Sequence, residues 1–139
     1  MQIIKARSKK HFDAIQELQR ACLPHDIPSD TSLGHWWVAY EEATPIAFSG
    51  MYESRQWFKT SYLCRAGVLP AYRGRGIQKR LIRVRCNYAR RIGHEWVITD
   101  TTDNPASGNS LIACGFKLYQ PANPWAFHRS CYWRKYLCQ

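Results

Sequence analysis

The sequence predicts a single α/β domain over residues 1–139, with a central mixed, mostly antiparallel sheet of six or seven strands flanked by about four helices. Three features carry that expectation. Three strand-like runs, His35–Glu41, Ile46–Glu53 and Phe58–Leu69, precede a loop that holds Gly74 and Gly76. A strongly periodic helix begins after Gly76, and the short apolar run Trp96, Val97, Ile98 follows it. Strand, loop, helix, strand implies a right-handed crossover and a parallel pair. A chain of 139 residues fits one compact core and leaves little room for a second.

Gln2–Lys5 is a short apolar-centred run suited to an edge strand, and Ser8 is placed to cap a helix. Phe12, Ile15, Leu18 and Cys22 recur at spacings of three and four, so they share one helix face, and Pro24 ends the pattern. Residues 24–34, with Pro24, Pro28, Asp30, Ser32 and Gly34, read as a loop or a broken second helix that could line a substrate pocket. The next two runs are rich in Trp, Val and Tyr and make a hairpin through a turn at Glu42–Pro45. In the long helix Ile77, Leu81, Val84, Tyr88 and Ile92 form the apolar face, with Lys79, Arg80, Arg83, Arg85, Arg90 and Arg91 elsewhere. Gly93 sits at its expected C-terminus. Asn104 or Ser107 caps a further helix through about Ala113; Phe116–Tyr119 and Ala126–Leu137 read as the last strands. The exposed strand edge near the C-terminus leaves room for a homodimer.

Apolar residues make up 45% of the chain and six Trp, eight Tyr and five Phe are available to bury, so the composition excludes disorder. Twenty Lys and Arg against ten Asp and Glu give +10, which favours phosphates, nucleotides or nucleic acid as ligands without choosing among them. The six cysteines contain no C-x-x-C pair, so no metal is expected. The N-terminal residues lack the apolar run of a secretion signal, which favours free thiols in a reducing cytoplasm. No run approaches the roughly 20 apolar residues that cross a bilayer.

The chemistry concentrates in Val68-Leu69-Pro70-Ala71-Tyr72-Arg73-Gly74-Arg75-Gly76-Ile77-Gln78. Glycine lets the backbone adopt positive φ and approach a ligand, and the first N–H groups of the helix, with its dipole, favour an anion. In isolation, a G-x-G in a basic loop reads equally well as an ordinary turn with solvated arginines. It lacks the Lys and Ser or Thr of a P-loop and the third glycine of a dinucleotide fingerprint.

This segment resembles the signature of the GCN5-related N-acetyltransferase (GNAT) family: Arg or Gln, two residues, Gly, one residue, then Gly or Ala, after V-x-P-x-x. Arg73, Gly76 and Gln78 occupy the three positions, with Gln78 departing from the small residue. A second similarity runs from Asn104-Pro105-Ala106-Ser107 through Leu111 to Gly115-Phe116. The resemblance implies a sheet splayed beside the loop and an acetyl-coenzyme A site. Backbone N–H groups of Arg73, Gly74, Arg75, Gly76, Ile77 and Gln78 would bind pyrophosphate. The strand at Ala66, Gly67 and Val68 would pair with the pantetheine arm, and Val68 N–H would polarise the thioester carbonyl. Asn104 would contact the arm or cap its helix, and both roles are compatible.

Transfer to an amine needs a proton acceptor and a donor for the leaving group. The positions where the family often carries Glu and Tyr hold Tyr62, Thr99 and Leu111. Asp100, acting through water, and Tyr119 are the candidate catalytic residues, against a loop anchor and a core tyrosine respectively. Cys64, as a nucleophile, is set aside for lack of an adjacent His, and His94 and His128 carry no motif. Trp36, Trp37, Trp57 and Trp125 either shape an acceptor pocket or pack in the core. The expected activity is acetylation of a primary amine on a small molecule or peptide. A polycationic acceptor would be repelled unless Glu41, Glu42, Glu53 and Asp26 form an acidic mouth. The other readings are a catalytically degenerate coenzyme-A-binding module and a basic nucleic-acid binder using the arginines of 73–91, the two-motif resemblance arguing against nucleic acid as the main partner.

Overall fold

The computed structural model describes every residue except Gln56 and Gln139. Its elements are β1 (Gln2–Lys5), α1 (Lys9–Cys22), β2 (His35–Glu41), β3 (Thr44–Glu53), β4 (Thr60–Val68), a 3-10 turn (Pro70–Tyr72), α2 (Ile77–Arg91), β5 (Trp96–Thr101), α3 (Pro105–Ala113), β6 (Lys117–Tyr119) and β7 (Cys131–Tyr136). The strands form a seven-stranded mixed sheet ordered β1-β2-β3-β4-β5-β7-β6. Among the described residues, three α-helices and the 3-10 turn stand in place of the expected four helices, because residues 24–34 form a loop. No helix among the described residues is long and apolar enough to cross a membrane. By packing, the chain divides into two compact units, Met1–Tyr52 with Cys64–Leu81 and Glu53–Leu63 with Ile82–Gln139.

In the first unit, Ser8 Oγ accepts from His11 N and caps α1 as its position predicts. The helix lays Ile15 and Leu18 against Trp36, Val38, Tyr40 and Phe48 of the β2–β3 hairpin, with Phe12 and Cys22 partly buried at the edge. The hairpin turn is tighter than expected: β3 starts at Thr44, and Glu42 takes a left-handed φ of 54° to close it. Trp36 and Trp37 are both buried core residues. Trp36 lies over Gly50, whose ideal Cβ would come within 2.5 Å of the ring. Gly67 on β4 is demanded in the same way: a Cβ there would meet Cys22 Cβ at 2.7 Å and Phe48 Cε1 at 2.8 Å.

In the second unit, the parallel pair expected from the crossover is present, with Thr60, Ser61 and Tyr62 in register with Trp96, Val97 and Ile98. Gly93 ends α2 with φ +84°. The buried face of α2 agrees with the predicted one at Ile77 and Leu81 and departs from it further along the helix. Ile82, Cys86 and Ala89 are buried, with Arg85 at 2% exposure among them, while Val84, Tyr88 and Ile92 are only half-buried. Spacing locates an apolar stripe but not its centre, and an arginine stem is long enough to join that stripe. The final strand is Cys131–Tyr136, shorter than Ala126–Leu137, and it pairs on both sides, so the edge near the C-terminus is the three-residue β6. Trp133 packs over Gly108 and donates Nε1 to Thr101 Oγ1 at 2.9 Å.

Replacing Gly67 with Ala should cost about 1–3 kcal/mol through overpacking against Cys22 and Phe48. Thermal denaturation should show a Tm several degrees lower; an unchanged Tm would contradict this packing.

Candidate functional site

The loop after β4 lies in the first unit and is built by short backbone bonds. Leu69 N donates to Ile46 O at 2.9 Å, Tyr72 N to Leu69 O at 2.9 Å and Arg73 N to Pro70 O at 3.3 Å, with Pro70 opening the 3-10 turn. Gly74 and Gly76 both have φ +77°, a sign that glycine adopts at little cost. An ideal Cβ at either would meet nothing within 4 Å. Internal packing therefore demands neither glycine, unlike Gly50 and Gly67, and the space beside them is open. Arg80 N to Gly76 O, at 3.2 Å, is the first bond of the helical ladder. Among the described residues, the backbone N–H groups of Gly74, Arg75, Gly76, Ile77 and Gln78 have no acceptor. Unengaged N–H groups at a helix N-terminus, next to positive-φ glycines, have the geometry of a nest, the kind of backbone concavity that suits an anion.

Both arginines also staple the loop. Arg73 Nε donates to Val68 O at 3.0 Å, and Arg75 Nη2 to Ala71 O at 3.4 Å with its guanidinium 5.0 Å from the Tyr72 ring. Their charges remain beside the nest. Arg73 also draws the Cys22 thiol pKa down, although burial, the larger effect, leaves it raised. Gln78 stands half-buried in the first turn of α2, and Ala66 and Gly67 are half-buried on β4.

The candidate catalytic residues lie in the second unit. Ile98 and Asp100 share a face of β5 because strand side chains alternate. Tyr62 is opposite Ile98, and its hydroxyl donates to Asp100 Oδ1 at 2.5 Å. Trp125 Nε1 donates to the same oxygen at 3.0 Å. Asp100 is the polar centre of an aromatic cluster, and through Trp125 it ties down the segment between β6 and β7. Trp125 meets Tyr62 at 6.2 Å, Trp57 at 6.3 Å and Tyr132 at 4.6 Å, each edge-on, the arrangement that ring quadrupoles favour. Tyr119 joins through Trp57 at 5.8 Å. Its hydroxyl is buried with no partner among the described residues. Burial pushes its pKa up to about 12, against the opposing pull of Arg134, which sits 4.7 Å from the ring. Such a phenol keeps its proton at neutral pH.

Asn104 caps α3, its Oδ1 accepting from Ser107 N at 3.1 Å. Thr99 and Leu111 are buried, and Thr99 Oγ1 donates to Leu63 O at 2.8 Å. Ala66, Gly67, Val68 and Arg73 to Gln78 come together in one unit, and Asp100, Asn104 and Tyr119 belong to the other. The four tryptophans divide: Trp36 and Trp37 are core, whereas Trp57 and Trp125 are half-buried around Asp100. Trp57 also lines an open groove of about 450 Å³. His94 Nδ1 lies 2.7 Å from Ser61 Oγ, and His128 is exposed. Asp26 pairs with Arg65 at 3.7 Å and Glu41 with the N-terminus at 3.8 Å. The partnership of Tyr62 with Asp100 is missed by motif reading; the signal for it is strand register.

The profile of the acetyltransferase (GNAT) family matches residues 4–116. No curated protein sequence matches the chain. Among solved structures, the fold is similar to the IAA acetyltransferase from Bacillus cereus, with TM-score 0.75, 19% identity and coverage of 98% of this chain and 100% of that one. It is similar to a Bacillus subtilis acetyltransferase in complex with CoA, with TM-score 0.74, 13% identity and coverage of 95% of each chain. It is similar also to a phosphinothricin acetyltransferase from Sinorhizobium meliloti in complex with acetyl-CoA, with TM-score 0.77, 16% identity and coverage of 99% and 89%. At these identities the likeness is one of fold.

Asn104→Ala should lower stability by about 0.5–2 kcal/mol through loss of the α3 cap, read by chemical denaturation. The raised pKa of Tyr119 means that the folded state holds a proton that the unfolded state releases near pH ~10. That stability is present below pH ~10 and lost as pH rises through the folded value of about 12. Tyrosinate absorbance of the native protein should include a high-pH step that is missing from Tyr119→Phe.

Proposed function

Since the chain belongs to the acetyltransferase (GNAT) family, we propose that it moves the acetyl group of acetyl-coenzyme A directly to a primary amine on a small molecule or peptide. The observation that carries this reading is the loop of Gly74 and Gly76, with left-handed glycines, open space where side chains would stand and unengaged N–H groups. Those features fit a pyrophosphate: amides from Gly74 to Gln78 hold it, while the Arg73 amide is already engaged with Pro70 O, and the Arg73 and Arg75 side chains add positive charge. The backbone of Ala66, Gly67 and Val68 accompanies the pantetheine arm, and the Asn104 amide contacts it while its oxygen caps α3. When bound, the cofactor supplies an acetyl group activated as a thioester.

With Thr99 and Leu111 buried, proton handling falls to the cluster around Asp100. Its carboxylate is the proton acceptor, and Tyr119 is a hydrogen-bond donor on the same cluster. The half-buried rings of Trp57 and Trp125 favour an amine carried on a small apolar or neutral group over a polycation. In this reading the two compact units form one domain and the protein works in the cytoplasm, where its six free cysteines stay reduced. A homodimer would pair through β6.

The burial of Thr99 and Leu111 also favours a second reading, a coenzyme-A-binding module without catalysis. Both readings require the cofactor. A ligand that binds only the folded state at a hundred times its Kd stabilises it by about 2.7 kcal/mol. Acetyl-coenzyme A should therefore raise the Tm of the native protein and leave Gly76→Glu unmoved. No shift at millimolar cofactor sinks both readings, and a shift without acetylation of any amine leaves the module.

A further inference from the structure

We propose that the second compact unit binds a single strand of nucleic acid, with phosphates on the arginines of the outer face of α2 and a base in the groove beside the end of that helix. The 15 residues of α2 hold six Lys and Arg and no Asp or Glu. Within the second unit, Arg83, Asn87, Arg90 and Arg91 recur at i, i+4, i+7 and i+8, so they share one face of the helix. All four are exposed, whereas Ile82, Cys86 and Ala89, elsewhere around the helix, are buried. The side chains of Arg83 and Arg91 have no hydrogen-bond or ion-pair partner among the described residues. Arg90 donates Nε to Leu137 O at 3.4 Å and Nη1 to Asn87 Oδ1 at 3.0 Å. Both acceptors are neutral, so they orient its guanidinium and leave the charge uncancelled. The row runs about 12 Å along the helix, and guanidinium forks match phosphate oxygens.

The chain that leaves α2, Ile92, Gly93 and His94, forms one wall of the open groove of about 450 Å³, and Trp57, Phe58 and Lys59 stand in the other. Lys59 O accepts from Glu95 N at 2.8 Å and Trp96 N at 3.3 Å, which holds that second wall beside the helix exit. Phe58 is 86% exposed, and Lys59 Nζ stands 5.5 Å from its ring. An aromatic face open to solvent beside cations is a stacking platform for a nucleobase, and such stacking accepts any base. The groove also carries Glu53, whose carboxylate suits the exocyclic amino group of a base. An acidic polypeptide would meet the same arginines and leave Phe58 uncovered. A duplex keeps its bases inside the stack, out of reach of the groove. A single strand engages both the arginine row and the aromatic wall. Every residue of this surface belongs to the second unit, so the proposal is independent of the acetyl-coenzyme A reading, whose loop belongs to the first.

The test titrates the full chain into a fluorescein-labelled, mixed-sequence DNA single strand and reads anisotropy across a salt series. The logarithm of the binding constant should fall linearly with the logarithm of salt, with a slope near −2, about −0.7 for each of three arginines. Arg83→Gln and Arg91→Gln should each weaken binding severalfold and flatten the slope by about 0.7. Phe58→Ala should weaken it about tenfold or more at an unchanged slope, because stacking releases no counterions. Lys10→Gln, which removes the same charge from α1, should bind as the native protein does. All four substituted side chains are exposed, and each variant is first shown to keep the native Tm. No binding by the native protein, equal losses in Lys10→Gln and Arg83→Gln, or native affinity in Phe58→Ala would each overturn the proposal. So would a DNA duplex or polyglutamate bound as tightly as the single strand. Displacement of the strand by millimolar coenzyme A would place it on the loop of Gly74 and Gly76 and overturn the proposal as well.

Discussion

Much of this structure depends on a short parallel ladder, Thr60–Tyr62 against Trp96–Ile98. Parallel neighbours cannot be joined by a tight turn, so the chain must leave β4, turn, run back as a helix and enter β5 from the same end. That requirement places the N-terminus of α2 just after β4, and Gly74 and Gly76 let the backbone make the turn with its amides unengaged. The same ladder sets Tyr62 opposite Ile98 and so within reach of Asp100.

The glycines separate packing from chemistry. At Gly50 and Gly67 a methyl group would collide with Trp36, Cys22 or Phe48, so absence of a side chain serves the core. At Gly74 and Gly76 a methyl group would meet nothing, and what glycine contributes is the sign of φ and unfilled space. Tight packing around Gly67 holds β4 against α1 within the first unit, directly before the loop that the nest occupies.

The second unit builds its polar centre from aromatic side chains. Asp100 has no cationic partner among the described residues and is held by a phenol and an indole. Both donors are neutral, and together they fix the orientation of the carboxylate. Trp125 belongs to no strand or helix, and its bond to Asp100 with its edge-on contact to Tyr132 fixes that part of the chain.

Local pattern by itself placed most of the strands and helices, the cap at Ser8, the crossover and the turn at Gly74 and Gly76, because periodicity, glycine positions and capping residues act over a few neighbours. It left Asn104 against Ser107 open, which the bond from Ser107 N to Asn104 Oδ1 decides. Tertiary packing alone decided the burial of Arg85, the division of the tryptophans and the shortening of the last strand to Cys131–Tyr136. It also decided that Asp100 meets Tyr62 and Trp125, residues 38 and 25 positions away. Those outcomes depend on which residues become opposite one another across strands, and register between distant segments is set by the whole sheet and its packing, not by any local run of side chains.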